Sequence, residues 1–186
     1  MRTCVWSTRA VEVLGVEVLI APVVVSSVAS ARRRSRIVIA AAAITLVIDQ
    51  ITKVWAVEAL DDQRIDVVWK LRLNLVHNTG FAFSAGEGMG PVLGLIALVI
   101  AVALWRTRQQ MQGAVGLVAI GLVLGGALGN LVDRLLRGEA WLRGGVVDFI
   151  DFRFWPVFNF ADMGIVVGVV LMCLSLWHTD RAARDA

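Results

Sequence analysis

The chain has 186 residues, 58% of them hydrophobic, with no tyrosine and a mean hydropathy of +0.76, well above the roughly 45–50% apolar content of a soluble domain. Such a chain belongs in a bilayer as one compact bundle and leaves no room for a second soluble domain. The net charge of +3 does not point to nucleic acid, because the basic residues gather at the ends of apolar runs instead of covering a polar face.

In chain order, the head Met1–Arg36 is expected to be a poorly ordered cytoplasmic extension. Its apolar part, Val11–Ala29, is broken by Glu12, Glu17 and Pro22, and its arginines follow that part instead of preceding it. A secretory signal peptide is a poor fit, a fifth span is the lesser alternative, and an interfacial helix or a misplaced start codon are the other readings. Cys4 and Cys173 lie at opposite ends of the chain, so neither a disulfide framework nor a metal site is implied.

Four apolar runs follow, Ile37–Val57, Met89–Trp105, Ala114–Val132 and Val157–Trp177, each near the roughly 20 residues that cross a bilayer as a helix. Residues 37–178 then form the membrane domain and 179–186 a tail. The Arg32–Arg36 cluster, the Arg106–Gly113 connection and the tail with Arg181 and Arg184 carry the positive charge. The positive-inside rule places them, and both termini, in the cytoplasm. The connections 58–88 and 133–156 then face outward. In the first of these, Leu71, Leu73 and Leu75 alternate with Arg72 and Asn74, a period of two that predicts a strand in a small sheet at the outer membrane surface.

Ionisable groups in or beside spans are costly unless paired, which makes them functional candidates. Asp49 and Lys53 share a helix face four residues apart. In the third span Gly125 and Gly129 admit a close neighbour, and Gly126, Asn130 and Arg134 form one stripe that ends at the outer surface. Asp148, within an apolar stretch, and Asp162, in the first turns of the last span, reach the same depth, with Asp133 and Asp151 close by. Carboxylates crowded at a membrane-embedded cleft repel, and one of them keeps its proton. A pair that shares a proton can activate water on a peptide bond. No G-x-S-x-G or H-E-x-x-H pattern offers a competing hydrolytic centre. The alternative is a small ion-coupled transporter or channel that uses the same carboxylates as an ion path.

Five blocks in order resemble the bacterial lipoprotein signal peptidases over about Ile37–Trp177: Asp49-Gln-Ile-Thr-Lys53, Asn78-Thr-Gly-Phe-Ala-Phe-Ser84, Gly125-Gly-Ala-Leu-Gly-Asn-Leu-Val-Asp-Arg134, Val146-Val-Asp148-Phe and Phe158-Asn-Phe-Ala-Asp162. The resemblance implies an all-α membrane protein of four transmembrane helices with a small outer β-cradle. It also implies an aspartyl endopeptidase that cuts diacylglyceryl-modified prolipoproteins just before the lipidated cysteine, without metal or cofactor, as a monomer in the inner membrane. Carried over by position, Asp148 and Asp162 are the catalytic pair. Asp49, Lys53, Asn78, Gly80, Gly126, Asn130, Arg134, Asn159 and Ala161 are the supporting set, and Asp133 is outside the dyad. Phe81, where the family usually has alanine, and a longer segment between Asp133 and Asp148 are the departures.

Overall fold

The computed structural model describes residues 21–61, 63–80, 89–138 and 141–185. The Phe81 departure and Ser84 lie outside the described residues. Helix α1 spans Ala21–Leu60, α2 Gly90–Thr107, α3 Gly113–Leu136 and α4 Phe160–Arg184, with strands β1 (Ile65–Val68), β2 (Leu71–Asn78) and β3 (Val146–Asp151) between them. Four helical stretches are long and apolar enough to cross a membrane, Ser30–Leu60 and the whole of α2, α3 and α4.

Helix α1 begins well ahead of the Ile37 boundary expected from hydropathy. Ala21–Arg36 suits a helix, because it contains no glycine and its one proline, Pro22, sits in the first turn, where a missing N–H costs nothing. By internal contacts Met1–Arg33 and Arg34–Ala186 are separate compact units. At the end of the second unit away from the sheet, Arg34 donates to the carbonyls of Gln109 and Met111, and Arg108 lies over Trp105 and bonds Ser35. Gly113, at φ 74°, makes the reversal into α3 that other residues would resist.

Helix α3 is the most buried of the four, and small residues on both of its sides explain why. Gly121 and Gly125 meet the α1 backbone at Val38 and Ala42, whereas Gly126 meets the Ala161 carbonyl of α4. Across that second seam α4 returns its own small residues, Ala161, Gly164 and Gly168. Without water between helices, such close backbone approach is the main source of packing energy. The outward faces stay apolar and exposed, as at Ile44, Ile51, Val99 and Val170, which suits hydrocarbon.

The sheet is antiparallel in the order β1-β2-β3. The period-two stretch resolves into a hairpin turned at Trp69-Lys70, where Trp69 holds φ 50°, an uncommon value for a bulky residue. Lys70 lies 5.3 Å from the Trp69 ring centroid and 5.7 Å from that of Phe154. Strand β3 pairs with β2 so that Asp148 faces Val76 and Asp151 faces Arg72. Val147 and Phe149 point down onto Ala56 and Leu60 at the end of α1. The sheet thus covers one end of the bundle and delivers Asp148 to it.

Candidate active site

Asp148 is supplied by a strand and Asp162 by a helix, and Asn159 lies between them. As the N-cap of α4, Asn159 accepts the Asp162 N–H on Oδ1 at 3.0 Å, while Asp162 Oδ2 accepts the Asn159 N–H at 3.2 Å, a closed capping box. The Asn159 Nδ2 then donates to Asp148 Oδ1 at 2.7 Å and to Asn130 Oδ1 at 3.1 Å. From β2, Asn78 Nδ2 donates to Asp148 Oδ2 at 3.0 Å, and from α3, Asn130 Nδ2 donates to Asp162 Oδ1 at 2.8 Å. Three side-chain amides and one backbone N–H therefore serve the four carboxylate oxygens.

The pair is coupled electrostatically as well. Burial, followed by the charge of Asp162, pushes the Asp148 carboxyl up to about 7, against the pull of the Asn78 and Asn159 amides and of Lys53. Asp148 thus keeps its proton at low pH and loses it as pH rises through about 7, and any chemistry needing one proton on the pair should fade on the alkaline side. A rate profile for the purified protein should accordingly show an alkaline limb near neutrality; a plateau extending to pH 9 would contradict this. By the same sign, burying Asp148 costs stability increasingly as pH climbs from its ordinary value toward 7.

Below the pair lies a buried ionic cluster. Lys53 Nζ is 2.9 Å from Asp49 Oδ2, 2.8 Å from Asp133 Oδ2 and 2.9 Å from Asn130 Oδ1, and Lys53, Asp49 and Asp133 are fully buried. Asp49 Oδ1 also accepts the Ala161 N–H at 2.9 Å, so α1 satisfies one of the free donors at the start of α4. Asp133 Oδ1 takes Arg137 at 2.8 Å, and its Oδ2 takes the Val147 N–H at 3.2 Å, which ties α3 to the strand beside Asp148. Both oxygens of Asp133 are therefore committed to Lys53, Arg137 and the Val147 N–H. Asp133→Asn should lower the unfolding temperature of the micelle-embedded protein, since breaking a buried pair costs about 3–5 kcal/mol, and should retain more cleavage than substitution of Asp148; equal loss in both variants would contradict that division of roles.

Every site residue expected from the sequence is placed by the structure in this assembly. Gly80 donates its N–H to Asn78 Oδ1 at 3.1 Å and its carbonyl accepts from Arg134 Nη2 at 3.3 Å; Gly126 abuts Ala161. Arg134 Nη1 is buried without a partner among the described residues. Beside it an apolar cavity of about 220 Å³ runs between α2, α3 and α4, lined by Leu93, Ala97, Ile100, Ala127 and Ile165 and ending at Asn130 and Arg134. The expected crowding of Asp151 with the pair is corrected: Asp151 bonds Arg72 at 2.7 Å and the Arg153 N–H at 2.6 Å, because the β2 register sets Arg72 opposite it. Gln50, which bonds Asp49, the Gly129 carbonyl and Asp133, was missed, as was the tie from Arg137. Gln50 stands inside the first block, next to Asp49, and Arg137 one helical turn beyond Asp133, so both were within reach of spacing alone.

An acidic pair roofed by a strand at the end of a bundle of membrane-capable helices defines a multi-pass membrane protein with its polar site at one end. Residues 41–178 match the signal peptidase (SPase) II family. The chain is 40% identical over 151 residues to a lipoprotein signal peptidase of Mycobacterium leprae, covering 80% of this chain and 75% of that one. It is 42% identical over 135 residues to one of Rhodococcus jostii, covering 70% and 67%. A bacterial membrane enzyme solved by the in meso method at 2.3 Å resolution superposes with a TM-score of 0.64 at 30% identity, covering 76% of this chain and 87% of that chain. The chain belongs to the signal peptidase II family and is a bacterial membrane peptidase, which removes the transporter alternative.

Proposed function

We propose that this protein is an aspartic endopeptidase that releases the signal peptide from diacylglyceryl-modified prolipoproteins, cutting just before the lipidated cysteine, with Asp148 and Asp162 as its catalytic pair. The observation that carries this reading is the junction at Asn159, which holds two carboxylates from different elements against each other and, with Asn78 and Asn130, aims three amide N–H groups at them. The names and sequences of the relatives support the substrate.

With one proton on the pair, the ionised carboxylate takes a proton from water, and the oxygen so freed forms a bond to the scissile carbonyl carbon. The protonated partner donates to the carbonyl oxygen. As the tetrahedral diol collapses, one of its hydroxyls returns its proton to the now ionised partner and re-forms the C=O bond, the C–N bond breaks, and the proton first taken from water goes to the leaving amine. Arg134 Nη1, which has no partner among the described residues, supplies a donor for a peptide carbonyl of the bound chain. The apolar cavity that ends at Asn130 and Arg134 suits an acyl chain. The positive-inside rule applied to the arginine clusters supports a topology with both termini in the cytoplasm and the pair at the outer face.

The experiment is direct. Purified protein in phospholipid nanodiscs is incubated with a prolipoprotein that carries, or lacks, the diacylglyceryl group, and release of the signal peptide is followed on gels. Cleavage of the lipidated form alone is expected. Equal cleavage of both forms, or of neither, would overturn the substrate assignment.

A further inference from the structure

The three amides at the catalytic pair share one feature. An asparagine side chain presents an acceptor at one end and two donors at the other, and only the donor end stabilises an ionised carboxylate. At Asn159 the polarity is imposed by the Asp162 N–H on Oδ1, and at Asn78 by the Gly80 N–H on Oδ1. A backbone N–H only donates, so neither amide can turn over without losing that bond. At Asn130 no backbone N–H bonds Oδ1. Its partners there are Lys53 Nζ at 2.9 Å and Asn159 Nδ2 at 3.1 Å, while Nδ2 faces Asp162 Oδ1 at 2.8 Å.

We infer that Lys53 is a positioning residue for the reaction: its ammonium group, which only donates, fixes the Asn130 amide with its donor end toward Asp162. This rests on the reading of Asp148 and Asp162 as the catalytic pair. Lys53 reaches neither carboxylate directly; its three hydrogens are committed to Asp49, Asp133 and Asn130. Asp49 and Asp133 hold the ammonium in place from α1 and α3, and that placement adds to the Asn159 Nδ2 bond a second, shorter donor that holds the Asn130 amide in one direction. Were the amide reversed, its carbonyl would face Asp162 Oδ1, acceptor against acceptor, and the pair would hold its proton more tightly.

The cluster has a second role, the balancing of charge, and the experiment must separate the two. The charged groups facing Asp148 are Asp162 from α4, Lys53 from α1, and Asp133 and Arg134 from α3, while His77 on β2 is exposed. Full-length variants in phospholipid nanodiscs, with a diacylglyceryl-modified prolipoprotein as substrate, form a cycle of Lys53→Met, Asn130→Ala and the double variant. Lys53→Met is expected to lower kcat by on the order of 100-fold, as a misplaced catalytic geometry does, with KM little changed and the alkaline limb displaced upward. Added to Asn130→Ala it should change kcat by less than about twofold, because the group it acts through is gone.

Lys53→Met paired with Asp133→Asn leaves the net buried charge as it was, and serves also if the single variant does not fold. Its kcat should stay near that of Lys53→Met alone. Multiplicative losses across the cycle, or recovery of the charge-matched pair to the rate of Asp133→Asn, would show that Lys53 only balances charge and would overturn the positioning role. Asp148→Asn is measured alongside: if it is inactive while the cycle is multiplicative, only the role of Lys53 falls, and if it stays active, the catalytic pair falls and Lys53 with it.

Discussion

Asp148→Asn should reduce cleavage by at least roughly 10²–10⁴-fold, the contribution of a positioned acid or base, and Asp162→Asn should match it. Asparagine occupies the same volume, so the lost property is the exchangeable proton. The surrounding bonds sharpen the expectation. Asp148 receives donors on both oxygens, from Asn159 Nδ2 and Asn78 Nδ2. An amide at position 148 necessarily presents its own NH2 to one of them, and Asp162→Asn meets the same conflict between Asn130 Nδ2 and the Asn159 N–H. One lost bond costs on the order of 1 kcal/mol. Relief of the burial penalty that raises the Asp148 carboxyl partly offsets it. Both variants should therefore stay folded, with unfolding temperatures close to wild type by differential scanning fluorimetry in detergent. A folded Asp148→Asn protein that releases signal peptide at the wild-type rate would dismiss the pair.

Gly126→Val is expected to do comparable damage from outside the chemistry. A side chain at 126 runs into the backbone carbonyl of Ala161 and the Ile165 side chain. Backbone cannot rotate out of the way as a side chain can, so α3 and α4 must separate. Overpacking of this kind costs about 1–3 kcal/mol, and the functional loss should exceed what that figure suggests. Asn130 lies one turn along α3 from Gly126, and Asp162 follows Ala161, so the displacement falls on the 2.8 Å bond between them. A misplacement near 1 Å costs on the order of 100-fold in rate. Leu128→Ala, on the exposed side of the same helix, is the matched control and should leave cleavage within about twofold. Unaltered turnover by Gly126→Val would mean that the α3–α4 seam does not set the spacing of the site.

Much of this was open to reading in the sequence because it is periodic. Continuous apolar runs located the spans, alternation at Leu71, Leu73 and Leu75 located β2, and i, i+4 spacing joined Asp49 to Lys53 and Gly126 to Asn130. What escaped is what no local period encodes. Strand β3 finds β2 from some 70 positions away, and only that register reveals that Asp151 is neutralised by Arg72 while Asp148 is met by Asn78. Acid crowding nominated both aspartates equally, and resemblance, not physics, separated them. Hydropathy marks the apolar part of α1 and not its start, since arginines lower an apolarity average without disfavouring helix.

Ile96 and Ile100, which line the cavity beside Arg134, are also exposed on the apolar flank of α2. A lipidated reactant whose acyl chain enters between them would arrive by diffusing within the bilayer. Its effective concentration is a mole fraction among lipids, and KM carries those units. Diluting proteoliposomes with buffer should leave the initial rate per vesicle unchanged, whereas diluting enzyme and substrate with added phospholipid at fixed volume should lower it.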